Sequence, residues 1–262
     1  VSARAFHDLH AAAQPLVLPN AWDYVSAALL VDAGFAAIGT TSLGVAAARG
    51  LPDGHGITRQ ATLELGHLLA SLPCLVSVDI EGGFSDDPGQ VADLVEELAS
   101  SGVVGVNIED GRADGTLADP TRQSGLIAAV KTRVPDLFVN ARVDNYWLSV
   151  EADVGATLAR ARRYVDAGAD GVFVPGRLDA ATVEALVAGT AVPLNVLYLP
   201  DGLGTGELAG LGVRRISTGS LLFRTAVAAA VRAARTVRDG GTPSERAPGY
   251  ADIQRLCDRK VC

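Results

Sequence analysis

The chain has 262 residues and a formal net charge of -8, with abundant alanine, valine and glycine, no methionine and few aromatics. That length suits one (β/α)8 barrel without a second domain, and the composition suits short parallel strands covered by helices. Basic residues are scattered rather than striped, which argues against nucleic-acid binding, and no apolar run reaches the roughly 18 residues of a membrane span, so a cytoplasmic protein that meets neither is expected.

In chain order, residues 6–13 read as a helix able to plug a barrel floor. Apolar runs follow at 16–18, 35–38, 75–80, 103–108, 137–143, 171–174, 194–197 and 215–218, which predicts eight strands. Amphipathic segments lie between them; in 151–167, Val154, Leu158, Ala161 and Val165 recur at helical spacing. Strand and helix in alternation predict a parallel sheet. Leu18 leads into Pro19-Asn20-Ala21-Trp22 instead of a glycine-rich phosphate loop, which favours a closed barrel over an open doubly wound sheet. Gly34 and Gly168 each follow Asp-Ala and read as left-handed helix stops. Helices are expected at 221–237 and 250–257, so the fold class is α/β, a single TIM-type barrel over 1–262 with an N-terminal helix and a C-terminal helical tail from 240, a segment suited to exchange between subunits.

Active sites of such barrels lie at the C-terminal strand ends. With a period of two, Ser77, Asp79 and Glu81 share one face; Asn107 and Glu109 follow in the same phase, and the next run supplies Asn140, Arg142 and Asp144. Crowded carboxylates raise one another's pKa, and a hard dication with oxygen ligands relieves that repulsion. Mg2+ or Mn2+ is therefore expected on Asp79, Glu81 and Glu109, with Asp79 ligating directly and the glutamates acting through water. Ion pairing of the carboxylates with Arg142 is the alternative.

Several chemistries lack their residues. Lys131 and Lys260 are not at strand ends, so a Schiff-base nucleophile is missing. His7, His10, His55 and His67 show no metal spacing, and only His55 lies in a top-side loop. Cys74, Cys257 and Cys262 form no CxxC or zinc pattern; Cys74 reads as core.

The chain resembles the isocitrate lyase and phosphoenolpyruvate mutase superfamily nearly end to end. The resemblance rests on Pro19 to Asp23, the segment from Gly39 to Gly44 (Gly-Thr-Thr-Ser-Leu-Gly), Gly50-Leu51-Pro52-Asp53-Gly54, the segment from Val78 to Gly83, Asn107-Ile108-Glu109-Asp110, Ala141-Arg142-Val143-Asp144 and Pro193 to Val196. It implies a metal at Asp79, Glu81 and Glu109, substrate contacts from Thr41, Ser42, Leu43 and Asp79, and a charge-stabilising role for Arg142. It also implies Asp53 on a loop over the mouth, Asn195 at a distal carboxylate, and a homodimer or homotetramer. The Lys-Lys/Arg-Cys-Gly-His loop of isocitrate and methylisocitrate lyases is replaced here by residues 111–120, without cysteine or histidine. The lysine and asparagine of the phosphonomutase loop are also missing, leaving Arg112, Asp114 or Arg122 to substitute.

The implied activity is Mg2+-dependent carbon-carbon cleavage of a small 2-hydroxy or 2-oxo di- or tricarboxylic acid through a metal-stabilised enolate. Phosphorus-carbon chemistry, as in phosphoenolpyruvate mutase or phosphonopyruvate hydrolase, and a non-catalytic 2-oxo-acid-binding barrel are the alternatives.

Overall fold

Pro19 interrupts the first strand. Proline has no N–H to donate to a ladder; the run expected at 16–18 forms β1 (Leu16–Leu18), and beyond the proline the chain resumes pairing as β2 (Asn20–Ala21). The computed structural model describes residues 2–244 and 246–258, so Lys260 and Cys262 lie outside the described residues. Nine strands are formed where eight runs were expected, because the short β2 beyond Pro19 was not among them.

The remaining elements alternate as anticipated. After α1 (Ala3–Ala11), α2 (Tyr24–Asp32) leads to β3 (Ala37–Thr40), and α3 (Ser42–Ala47) with α4 (Arg59–Leu69) leads to β4 (Leu75–Asp79). Then α5 (Pro88–Ser100) precedes β5 (Gly105–Glu109), and α6 (Pro120–Arg133) precedes β6 (Phe138–Arg142). Next, α7 (Asn145–Leu148) and α8 (Val154–Asp166) precede β7 (Gly171–Val174), and α9 (Ala180–Gly189) precedes β8 (Leu194–Leu197). Finally α10 (Thr205–Gly210) leads to β9 (Arg215–Ser217), followed by α11 (Leu221–Arg238) and α12 (Tyr250–Asp258). Asp23, Asp87, Asp119, Asp153 and Asp179 cap α2, α5, α6, α8 and α9 by accepting first-turn backbone N–H bonds, each cap contributing about 1 kcal/mol.

All strand pairings are parallel, and the two halves of the broken strand are the two ends of the ladder: β1 pairs with β9 and β2 with β3. Asn20 bridges the gap. Its Nδ2 donates to Thr40 O at 2.7 Å, and its Oδ1 accepts from the backbone N–H groups of Thr218 at 3.0 Å and Gly219 at 2.9 Å. The barrel therefore closes through a side chain where the ladder is interrupted.

Strand alternation separates two cores. Val76, Val78, Val106, Ile108, Val139, Val172, Val196 and Ile216 face outward and pack under the helices. Inside the lower barrel, Phe6 of α1 meets Leu18, Ala37, Leu75 and Phe138, with its ring edge-on to Phe138 at 5.4 Å. The expected floor plug is thus present. Gly105 makes room for it, since a Cβ there would lie 2.9 Å from Phe6 Cε1. Above this apolar floor lies a polar layer of Ser77, Asn107, Asn140, Asn195 and Arg215, all buried, and above that the barrel opens.

At the other end of the chain, α12 rests on α2: Tyr24 Oη donates to Leu256 O at 3.1 Å, and Leu256 is buried. No residue of α11 is buried. No helix among the described residues is long and apolar enough to cross a membrane.

Candidate active site

A cavity of about 210 Å³ occupies the C-terminal mouth of the barrel. Its walls bring together Thr41, Ser42, Leu43, Asp53, Asp79, Glu109 and Arg142, all singled out in the sequence. Asp79 and Glu109 arrive on adjacent parallel strands, β4 and β5, and Arg142 is the register partner of Glu109 on β6. Period-two alternation then points all three inward.

Arg142 is held from several directions. It forms ion pairs with Glu109 and with Asp144, whose Oδ1 accepts from Nε at 2.7 Å. Its guanidinium also lies 5.8 Å from the Trp147 ring and 5.9 Å from the Phe173 ring. Burial disfavours its charge, but Glu109, Asp144 and Asp79 together outweigh that and raise its pKa. Ion pairing with Arg142 is therefore realised for Glu109.

Among the described residues, Asp79 has no such ion-pair partner. Its backbone N–H donates to Thr40 Oγ1 at 2.8 Å, and Oδ1 accepts from Glu81 N at 3.2 Å. Burial pushes the Asp79 carboxyl up to about 6; Arg142 opposes the rise, while Asp53 adds to it. Burial likewise holds Glu109 well above the usual carboxylate range, against Arg142 and with help from Asp79. The mouth thus has a surplus of negative charge.

Glu81 is not brought to this cavity. The strand ends at Asp79, and Glu81 has φ 49°, inside a turn closed by a 2.8 Å bond from Gly83 N to Ile80 O. Strict alternation stops there, and the carboxylate swings toward residues 56–58. Its Oε1 accepts from Thr58 Oγ1 at 2.5 Å and its Oε2 from Gly56 N at 2.9 Å. Both oxygens therefore anchor the loop that carries Asp53. Asn195 also stays off the cavity surface, one layer down, where its Nδ2 donates to Ser217 Oγ at 3.0 Å.

Among the described residues, no three acidic, histidine or cysteine side chains are gathered tightly enough to enclose a metal by themselves. Mg2+ needs no such cage, because it retains waters and takes one or two carboxylates together with substrate oxygens. Asp79 and Glu109 meet that requirement. Asp53 Oδ1 is buried without a hydrogen-bond partner among the described residues, so a further oxygen acceptor is left unsatisfied at the same mouth. The donor set is all oxygen and fits a hard dication.

The cavity is completed by residues that had not been singled out as site residues, among them Asn20, Thr40, Asn107, Gly111, Asp144, Trp147, Phe173 and Ser217. For Asn107 and Asp144 the signal was present, since each shares the inward phase of a named neighbour. Residues 111–117 form a short hairpin, with Gly111 bridged to Leu117 and Arg112 N donating to Thr116 O at 2.9 Å. The base of the hairpin is fixed by Asp110, which is buried and accepts from Tyr164 Oη at 2.6 Å, Arg160 Nη1 at 3.1 Å and Asp144 N at 2.9 Å. Of the candidate substitutes on this segment, Arg112 lines the cavity, whereas Arg122 is ion-paired with Asp86 and Asp114 accepts from Thr116.

Residues 6–238 match the family model described as phosphoenolpyruvate phosphomutase. An uncharacterized protein of Mycobacterium tuberculosis (strain ATCC 25618 / H37Rv) is 49% identical over 255 residues, covering 97% of this chain and 96% of the relative. An oxaloacetate decarboxylase of Pseudomonas fluorescens (strain SBW25) is 31% identical over 252 residues, covering 90% and 84%. The crystal structure of a 2,3-dimethylmalate lyase, described as a PEP mutase/isocitrate lyase superfamily member, superposes with a TM-score of 0.87 at 25% identity, covering 100% of this chain and 96% of that one. The chain therefore belongs to the phosphoenolpyruvate phosphomutase family, within the PEP mutase/isocitrate lyase superfamily.

Proposed function

We propose that the chain is a carbon-carbon lyase dependent on Mg2+ or Mn2+ that cleaves a small 2-hydroxy or 2-oxo di- or tricarboxylic acid through an enolate. The observation that carries this reading is the convergence of Asp53, Asp79 and Glu109 with Arg142 at one cavity mouth. The similarity to an oxaloacetate decarboxylase and a 2,3-dimethylmalate lyase supports the substrate class.

Asp79 and Glu109 would hold the divalent cation, which when bound would supply Lewis-acid polarisation of the 2-oxo group. Arg142, its fork oriented by Asp144 and flanked by two rings, holds a substrate carboxylate and stabilises the negative charge that develops when the adjacent bond breaks. Thr41, Ser42 and Leu43 meet substrate oxygens from the opposite wall, where the first-turn amides of α3 have no intrahelical acceptors. Asp53 closes the mouth on a loop anchored by Glu81, which excludes water from the enolate. Asn195 acts from the layer below, through Ser217.

The test is incubation of the purified protein and Mg2+ with a panel of such acids, reading pyruvate and glyoxylate. Release abolished by chelation is expected; no release from any acid would sink the reading. The description of the matched family favours phosphorus-carbon chemistry as the second reading. Conversion of phosphonopyruvate, followed by phosphorus NMR, would select it, and oxalate binding without any turnover would select a binding barrel. A second copy of this chain is proposed to cover the exposed Val227 and Val231 of α11, with the tail from 240 as the exchanged segment; sedimentation as a monomer would refute that.

A further inference from the structure

Arg215 enters the barrel interior from β9 and, among the described residues, touches no carboxylate. It is 1% exposed, its Nε donates to Ser217 Oγ at 3.1 Å, its Nη2 donates to Asn107 Oδ1 at 3.1 Å, and its Nη1 has no hydrogen-bond partner. A guanidinium buried among neutral groups is costly. Burial pulls its pKa down to about 9, and the charge on Asp79 above it acts in the opposite direction.

A guanidinium has donors only. The end of the Asn107 carboxamide that faces it must therefore be the oxygen, and Asn140 Nδ2 donates to that same oxygen at 2.9 Å. The two ends of a carboxamide differ only in hydrogen-bonding sense, so two donors at one end fix which way the group points. The Asn107 amide nitrogen is left at the other end, with no protein acceptor among the described residues. Asn107 is itself 5% exposed, lines the cavity and is the register partner of Asp79.

We propose that Asn107 contacts the substrate, its Nδ2 donating to a carboxylate or enolate oxygen, and that Arg215 is the positioning residue that locks the amide in this sense. The proposal rests on the 2-oxo-acid reading above and adds a specificity element to it. The cavity floor becomes a donor surface selected for anionic oxygen, and the buried cation maintains it without itself reaching the ligand.

Calorimetric titration of oxalate in the presence of Mg2+ tests this. Asn107→Asp keeps the shape and both accepted bonds but turns the cavity-facing donor into an acceptor; Asn107→Ser removes the donor without adding charge. Both are expected to weaken oxalate binding by about tenfold or more, the range for a lost hydrogen bond to a charged group. Arg215→Met should weaken it as well, and Arg215→Lys, still a pure donor, should recover most of the loss. In isotope-labelled wild type, the Asn107 side-chain amide resonance should shift on adding oxalate. Wild-type binding with unchanged affinity in Asn107→Asp and Asn107→Ser would overturn this inference alone. Failure of the wild type to bind oxalate would overturn both it and the reading beneath it.

Discussion

Glu81 Oε1 accepts a 2.5 Å hydrogen bond from Thr58 Oγ1, which ties the end of β4 to the loop carrying Asp53. Both residues are buried, so removing the hydroxyl leaves a buried carboxylate short of one donor. Thr58→Val should destabilise the protein by about 1–3 kcal/mol in urea unfolding. It should also raise KM more than it lowers kcat, because the loop rather than the reacting groups is disturbed.

Gly111 packs directly on Asp144: an added Cβ would lie 2.2 Å from its Oδ2. Gly111→Ala must displace either the hairpin at 111–117 or the carboxylate that orients Arg142. A loss of about 1–3 kcal/mol is expected, together with weaker oxalate binding. An unchanged melting curve and affinity would show that the contact relaxes freely.

Phe6 is fully buried in the barrel floor against Phe138. Phe6→Ala should cost about 3–5 kcal/mol, measured by denaturant unfolding, while leaving metal affinity intact because the polar layer separates the floor from the mouth.

The stability of the metal-free protein should depend on pH in a defined direction. Asp79 has its carboxyl raised from 3.8 to about 6 by burial, so the folded state holds a proton that the unfolded state has already released. Its contribution is fully present below the unfolded value and is lost as pH rises through the folded one, and Glu109 shifts in the same direction. A cation bound there as proposed would reverse the penalty. Thermal scans should therefore show a larger Mg2+-induced increase in Tm above pH ~7 than below pH ~5. An equal increase at both would contradict the charge surplus.

Much of this was legible in the sequence because period-two alternation carries it. Asp79, Glu109 and Arg142 fall in the inward phase of apolar strands, and the parallel register sets Glu109 beside Arg142 and Asp79 beside Asn107, two residues short of Glu109. Glu81 has the same sequence spacing but not the same geometry, because its positive φ lies beyond the last strand residue. Asn195 has the inward phase and sits too deep, since depth depends on stagger around the barrel. Pro19 announces its own break; that Asn20 would span it depends on the backbone just past β9, nearly 200 residues away, at Thr218. Arg215 is a charged residue opening an apolar run, and its neutral surroundings emerge only once the barrel closes.

On the proposed reading, Asp79 and Glu109 hold a divalent cation that recruits an oxo acid beside Arg142. Electron paramagnetic resonance titration of Mn2+ measures this binding most directly, in the wild type and in Asp79→Ala, with and without oxalate. Saturable Mn2+ binding that tightens with oxalate and is lost in Asp79→Ala is the predicted result. Absence of saturable binding in the wild type, or equal binding in the variant, would contradict it.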